Sequence, residues 1–350
     1  MLSPALLHPL QATSVDFEYC FDRTLHCTAT RYTNTTDFKL TDSSDSACLI
    51  FACGISLSQE TWIPIIKELF RLSSTASRIP VGSAWVVERP NHGTTGLMNA
   101  ELLKQHYSAQ FPSLQYSTAI HTFLTSNILS ASERRNLVGI GHSGGGGSLI
   151  QALNYGLRDG HNIPLKSLIL VEAPLVGPEV WPFFLKMYDA VKKSNARRTT
   201  SWPSKDAAMK WFATRSPWKS FSPDVLQIVE DTYFIPDARR PGFITTKTTV
   251  EQETACFVDN GTNLHAGPFL LTILDILPTH IIAGRSRDMW PPPVYDLIDQ
   301  NTAKARPYLA SVTVMDDVGH YLPVVKPRAV AAQIFEDIQT HAEETIRSKL

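Results

Sequence analysis

Residues 139 to 149 read Gly-Ile-Gly-His-Ser-Gly-Gly-Gly-Gly-Ser-Leu. Within them, Gly141-His142-Ser143-Gly144-Gly145 fits Gly-x-Ser-x-Gly, the pattern of a sharp strand-to-helix turn that leaves a serine hydroxyl exposed at the bend. Such a bend strains the serine backbone and packs its flanks closely, so Gly141 and Gly145 have a steric reason to lack side chains. Ser143 is the candidate nucleophile. A glycine-rich stretch alone also suits a phosphate-cradling loop or a linker, and the flanks decide between them. Arg135 to Ile140 is a short apolar run of strand type, and Ser148 to Tyr155 has helical spacing.

A serine hydroxyl is a poor nucleophile at neutral pH and needs a base within hydrogen-bond reach, held in the right tautomer by a third group. Among eleven histidines, His320 occupies the suitable place, in the loop Asp316-Asp-Val-Gly-His320-Tyr-Leu-Pro323 after the strand-like Val312 to Met315. His142 fills the position beside the serine, and His92 lies in an earlier loop. Two carboxylates compete as the orienting acid. Glu172 ends the apolar run Leu168-Ile-Leu-Val-Glu-Ala-Pro174, where its desolvation cost needs offsetting and a histidine would offset it. Asp288 closes Gly284-Arg-Ser-Arg-Asp288, one residue later than a Gly-x-x-Asp spacing, with Arg287 in the expected place. Glu172 is preferred and Asp288 is the alternative. Acyl transfer also needs donors for a tetrahedral oxyanion: the backbone N–H of Gly144, after the nucleophile, and that of Ile55 in Phe51-Ala-Cys53-Gly54-Ile55-Ser56. Cys53, at a strand exit with no histidine close in sequence, reads as a small buried residue and not as a thiol nucleophile.

The elements that must position these groups alternate. Phe17 to Thr30, Ala47 to Ala52, Ala84 to Glu88 and Ser167 to Glu172 are strand-like, as are Thr279 to Ala283 and Ser311 to Met315; Glu60 to Leu72 and Tyr116 to Ile128 are helical. This order predicts an α/β fold, a mostly parallel sheet covered on both faces. Residues 31 to 46, rich in Thr, Asp and Ser, read as an exposed hairpin loop. Residues 175–265 break the rhythm: they hold Trp181, Trp202, Trp211 and Trp218, four of the seven tryptophans, with helical stretches and no good strand. They read as a helical cap inserted after the sixth strand, between core parts 1–174 and 266–347. Most of its aromatics should fill its own core, and a minority should line a substrate pocket.

With 350 residues and 43% hydrophobic content, the chain can bury one large core. Lys+Arg of 32 against Asp+Glu of 33 gives no basic surface for nucleic acid, so a small molecule is the expected partner. Five scattered cysteines, Cys20, Cys27, Cys48, Cys53 and Cys256, without a Cys-x-x-Cys pair, argue against a disulfide framework or structural zinc, and no cofactor is called for. Met1 to Leu10 lacks a signal-peptide pattern, and no apolar run of about 18 residues would span a bilayer. Ser348-Lys349-Leu350 spells the tripeptide read by the peroxisomal import receptor, which makes that receptor an expected partner and the peroxisome the expected location. The helical pattern from Arg328 to Arg347 would present it.

On these residues the chain resembles the α/β-hydrolases, in particular a fungal group of toxin-biosynthesis proteins and peroxisomal lipases. The matching segments are Ala52 to Pro64, Glu88-Arg-Pro-Asn-His92-Gly93, Gly141 to Gly145, Val171-Glu-Ala-Pro174 and Gly319-His320. The resemblance implies an α/β-hydrolase fold and a cofactor-free serine enzyme that takes an acyl group from an ester or thioester and passes it to water. A second reading passes it to a hydroxyl, as an acyltransferase or lactone-forming cyclase of secondary metabolism; a third is a silent binding protein on the same fold. Serine at position 143 disfavours aspartyl-nucleophile relatives. The chain departs from the pattern where Cys53-Gly54 replaces the more usual residues and where four glycines follow Ser143.

Overall fold

Ala47-Cys-Leu-Ile-Phe-Ala52 is buried at all six positions, the pattern of a strand covered on both faces. Its residues divide with period two: Cys48, Ile50 and Ala52 face one hydrophobic cluster, and Ala47, Leu49 and Phe51 the other. The first cluster takes the inner faces of helices Ser113–Thr125 and Gly144–Arg158, and the second those of Ile63–Thr75 and Pro327–Arg347. A helical layer thus lies on each side of the sheet. The computed structural model describes residues 4–35, 46–75, 77–258 and 261–347.

In chain order the strands are β1 (Leu10–Cys20), β2 (Thr24–Asn34), β3 (Ala47–Ala52), β4 (Val81–Val87), β5 (Leu137–His142), β6 (Leu165–Val171), β7 (Ser201–Trp202), β8 (Phe234–Pro236), β9 (Ile244–Thr246), β10 (Thr279–Gly284) and β11 (Ser311–Met315). The main sheet has eight strands in the order β1-β2-β4-β3-β5-β6-β10-β11. Pairings from β4 through β11 are parallel, while β1–β2 and β2–β4 are antiparallel. The strand order reverses between β3 and β5, so the loops after β3 and β5 open at one crevice, where ligands of such sheets bind.

Two expectations need correction here. The stretch Phe17 to Thr30 is not one strand, because the chain turns between Cys20 and Thr24 and the halves pair with each other. Arg31 to Asn34 continue β2 and so are not loop; residues 36–45 of that expected hairpin, and Ser348-Lys349-Leu350, lie outside the described residues.

The segment 175–265 holds the helices Trp181–Asn195, Lys205–Phe212, Pro223–Thr232 and Val250–Phe257. It also holds strands, contrary to expectation: β7, β9 and β8 form a small antiparallel sheet. Strands of two or three residues are too short to leave a period-two signal. Around them Trp202, Phe212, Trp218 and Phe234 form a cluster that Leu57 and Val324 of the main body join. Phe212 meets Trp218 edge-on, with centroids 4.6 Å apart.

Candidate active site

β5 runs apolar to His142 and the helix Gly144–Arg158 begins one residue after Ser143, which leaves Ser143 at the bend with φ 53° and ψ −129°. A left-handed φ on a serine is strained, and the surroundings over-determine it. Its N–H donates to Val171 O at 3.1 Å, and its carbonyl accepts from Gly146 N at 3.0 Å. The two pattern glycines close the bend: a Cβ on Gly145 would lie 2.5 Å from both Ala52 O and Cys53 O, and one on Gly141 would strike the Gly146 backbone.

The other two groups arrive from neighbouring strands. Glu172 follows β6 with φ 50°, and Gly284 N, at the end of the adjacent β10, donates to its Oε1 at 2.6 Å. His320 follows β11. Its Nδ1 stands 3.2 Å from Glu172 Oε2 and its Nε2 2.9 Å from Ser143 Oγ. An ionised carboxylate only accepts, so Nδ1–H donates to Glu172 and Nε2 is left to accept from the serine hydroxyl. The ring is nearly enclosed, 3% exposed at the residue level, with the edges of Trp290 and Tyr321 against it, each at a centroid distance of 5.5 Å.

The alternative carboxylate, Asp288, goes elsewhere: His320 N donates to Asp288 Oδ1 at 2.9 Å, and a Cβ on Gly319 would strike the same carboxylate. Asp288 holds the backbone of the histidine loop, not the ring. On the other side of that backbone, His142 Nε2–H donates to His320 O at 2.9 Å. Burial, and then the His320 ring, lower the His142 pKa to about 3, so His142 stays neutral and keeps its other ring nitrogen unprotonated.

The residues that carry the two candidate oxyanion donors are neighbours. A Cβ on Gly144 would lie 3.6 Å from Ile55 Cγ1. The loop carrying Ile55 is fixed by three residues from other elements. Tyr116 Oη accepts from Cys53 N at 2.9 Å while donating to Val87 O at 2.5 Å. Arg89 Nε donates to Cys53 O at 3.1 Å, and Ser56 N donates to His92 Nε2 at 2.9 Å. Burial, and then the Arg89 charge, lower the His92 pKa to about 3, which keeps that nitrogen an acceptor. Cys53 is fully buried, with its thiol pKa pushed far up by burial, so it is no nucleophile. Arg89, His92 and Tyr116 carried no role in the sequence reading; the signal was the polar run Glu88 to Gly93 at the exit of an apolar strand.

Beside Ser143 lies a cavity of about 70 Å³ lined by Ile150, Val176, Phe184, Leu264 and Trp290. Phe184, from the segment 175–265, stacks on Trp290 with centroids 5.2 Å apart. Among the described residues no group of three or more His, Cys, Asp or Glu side chains could hold a metal ion, and no helix is long and apolar enough to cross a membrane. A base poised on a hydroxyl, next to a mainly apolar cavity, can drive nucleophilic attack on a carbonyl.

Comparison with known proteins agrees with this geometry at the level of the fold. A family model described as the alpha/beta hydrolase family matches residues 49–333. No curated protein matches the chain significantly. Among solved structures, the peroxisomal alpha-beta-hydrolase Lpx1 of Saccharomyces cerevisiae is similar with a TM-score of 0.72 at 17% identity, over 95% of this chain and 90% of that one. E-2-(acetamidomethylene)succinate hydrolase gives 0.62 at 15% identity, over 93% and 99% of the two chains. The thioesterase domain from the curacin biosynthetic pathway gives 0.62 at 16%, over 92% and 99%.

Proposed function

The chain belongs to the alpha/beta hydrolase family, and from that premise we propose that it is a serine enzyme of acyl transfer acting on a carboxylic ester or thioester. The observation that carries this is the unbroken line of hydrogen bonds from Glu172 through His320 to Ser143. Ser143 Oγ attacks the carbonyl carbon while His320 Nε2 takes its proton; the carbonyl electron pair moves onto oxygen, facing the N–H groups of Gly144 and Ile55. Glu172 holds the tautomer and offsets the charge of the imidazolium. As the tetrahedral species collapses, the bond to the leaving oxygen or sulfur breaks and His320 returns the proton to it. Water, activated by the same nitrogen, then releases the acid from Ser143. The segment 175–265 acts as a cap, and the acyl chain occupies the cavity that Phe184 and Leu264 help to close.

One observation supports the second reading, in which a hydroxyl replaces water. That cavity is lined mainly by apolar side chains, and excluding water is what lets an alcohol compete for the acyl-enzyme.

The test is direct. The protein should release p-nitrophenol from short-chain esters and react with a serine-directed fluorophosphonate. Ser143→Ala should abolish labelling and lower kcat by about 10³-fold or more. Wild-type protein inert to both reagents would refute the proposal, and labelling with turnover only when an alcohol is supplied would favour the transferase.

A further inference from the structure

Arg89 follows β4 and is only 2% exposed. Its side chain keeps its charge at ordinary pH, so burying it is costly unless acceptors or an anion meet it. The protein meets it in part. Nε–H donates to Cys53 O at 3.1 Å, and the guanidinium lies over the Tyr116 ring at 4.6 Å from the centroid. Among the described residues no carboxylate pairs with it, and its two terminal amino groups have no acceptor. One of those groups has a defined neighbour: a Cβ on Gly144 would lie 3.0 Å from Arg89 Nη2, beside Ile55 Cγ1 and Cδ1. The guanidinium thus takes the room that a side chain following the nucleophile would fill, at the meeting point of the residues that carry the two backbone donors.

We propose that Arg89 is a third, cationic donor of the oxyanion site. This rests on the acyl-transfer reading. As the Ser143 Oγ–carbon bond forms and the carbonyl pair moves onto oxygen, Nη2–H donates to that oxygen. Arg89 stays protonated throughout, and the only proton in transit is the one His320 carries from serine to leaving group. A fixed cation in a water-poor site needs no reorganisation when the anion appears, and so acts mainly on the transition state. The absence of a side chain at Gly144 then has its own reason: a Cβ there would crowd the cation, 3.0 Å from Arg89 Nη2.

Arg89→Gln is the decisive variant. Its amide nitrogen stands where arginine has Nε, so the bond to Cys53 O can persist while the charge and the terminal amino groups are gone. On neutral p-nitrophenyl acetate and butyrate, kcat should fall by about 10²-fold, the scale of one oxyanion donor, with KM little changed. The inhibition constant of a trifluoromethyl ketone, which forms an oxyanion on the serine, should rise in parallel, and the melting temperature should report an intact fold. Arg89→Lys, which keeps a charge, should recover part of the loss, and it carries the test if the glutamine variant fails to fold. Wild-type kcat in Arg89→Gln would reduce Arg89 to a clamp on the loop, and a loss confined to carboxylate-bearing esters would make it a substrate reader; either overturns the proposal. Wild-type protein that neither turns over esters nor labels at Ser143 refutes the acyl-transfer reading itself, and this inference falls with it.

Discussion

Around Ser143 the close contacts are backbone against backbone: a Cβ on Gly145 would stand 2.5 Å from Ala52 O and Cys53 O. In the segment 175–265 they are ring against ring, with Trp211, Phe212, Trp218 and Phe234 at centroid separations of 4.6–5.8 Å. The difference teaches where geometry is held tightly and where volume suffices. Peptide groups packed at van der Waals distance leave no rotamer to relax into, so the serine, its donors and its base keep their spacing. Aromatic side chains can repack, and their job is to bury area. Changes at the bend should therefore remove activity, with a cost in stability where a new Cβ meets backbone, and changes in the aromatic cluster should cost stability and leave activity in the folded protein.

The sharpest break lies at the two carboxylates. Glu172→Gln should lower kcat by about 10³- to 10⁴-fold, since the ring loses its orienting anion. Asp288→Asn, which alters a bond to backbone, should cost about tenfold or less. Steady-state kinetics with equal melting temperatures would check both, and the reverse ranking would move the acid role to Asp288. Next, Gly145→Ala should cost about 10²-fold in kcat by pushing the loop of Ile55 away from Gly144, because small misplacements are expensive in catalysis. An unaffected rate would show that this bend tolerates more than its contacts suggest. On the other side, Phe212→Ala should destabilise by about 3–5 kcal/mol in urea unfolding while folded protein keeps kcat close to wild type. A large loss of kcat with normal stability would place the cluster in the chemistry.

The mildest effect concerns pH. Glu88 is fully buried, and its pKa is raised to about 8 by burial and then by Glu60. A carboxyl with a higher pKa folded than unfolded contributes fully below its unfolded value of 4.5, and that contribution fades as pH rises through about 8. His92 and His142, lowered from 6.5 to about 3 chiefly by burial, behave oppositely: their contribution is complete above 6.5 and is lost as pH falls toward 3. Glu88→Gln should flatten the decline in urea midpoint between pH 4.5 and 8 and leave the acid limb below 6.5 in place. An unchanged slope would show that Glu88 is ionised in the native protein.

Much of this was legible because it is local. The bend at Ser143 is written in five consecutive residues, and the parallel sheet in apolar runs such as Ala47 to Ala52. The early hairpin was missed because β1 and β2 read as one strand-like stretch when no turn dipeptide separates them. The three short strands at Ser201, Phe234 and Ile244 are stabilised by the rings they pack on, not by any periodicity of their own.

By itself, then, the sequence determined the strained corner, the alternation of strand and helix, and the short list of residues able to take part in proton transfer. Only the tertiary structure decided which carboxylate meets the imidazole, 148 positions away in the chain, and which backbone atom the other one holds. It also decided that an arginine from the loop after β4 lies against the space left by Gly144. The physical reason is that these pairings follow from strand order. β10 lies between β6 and β11 and β3 lies between β4 and β5, so loops far apart in the chain share one edge of the sheet.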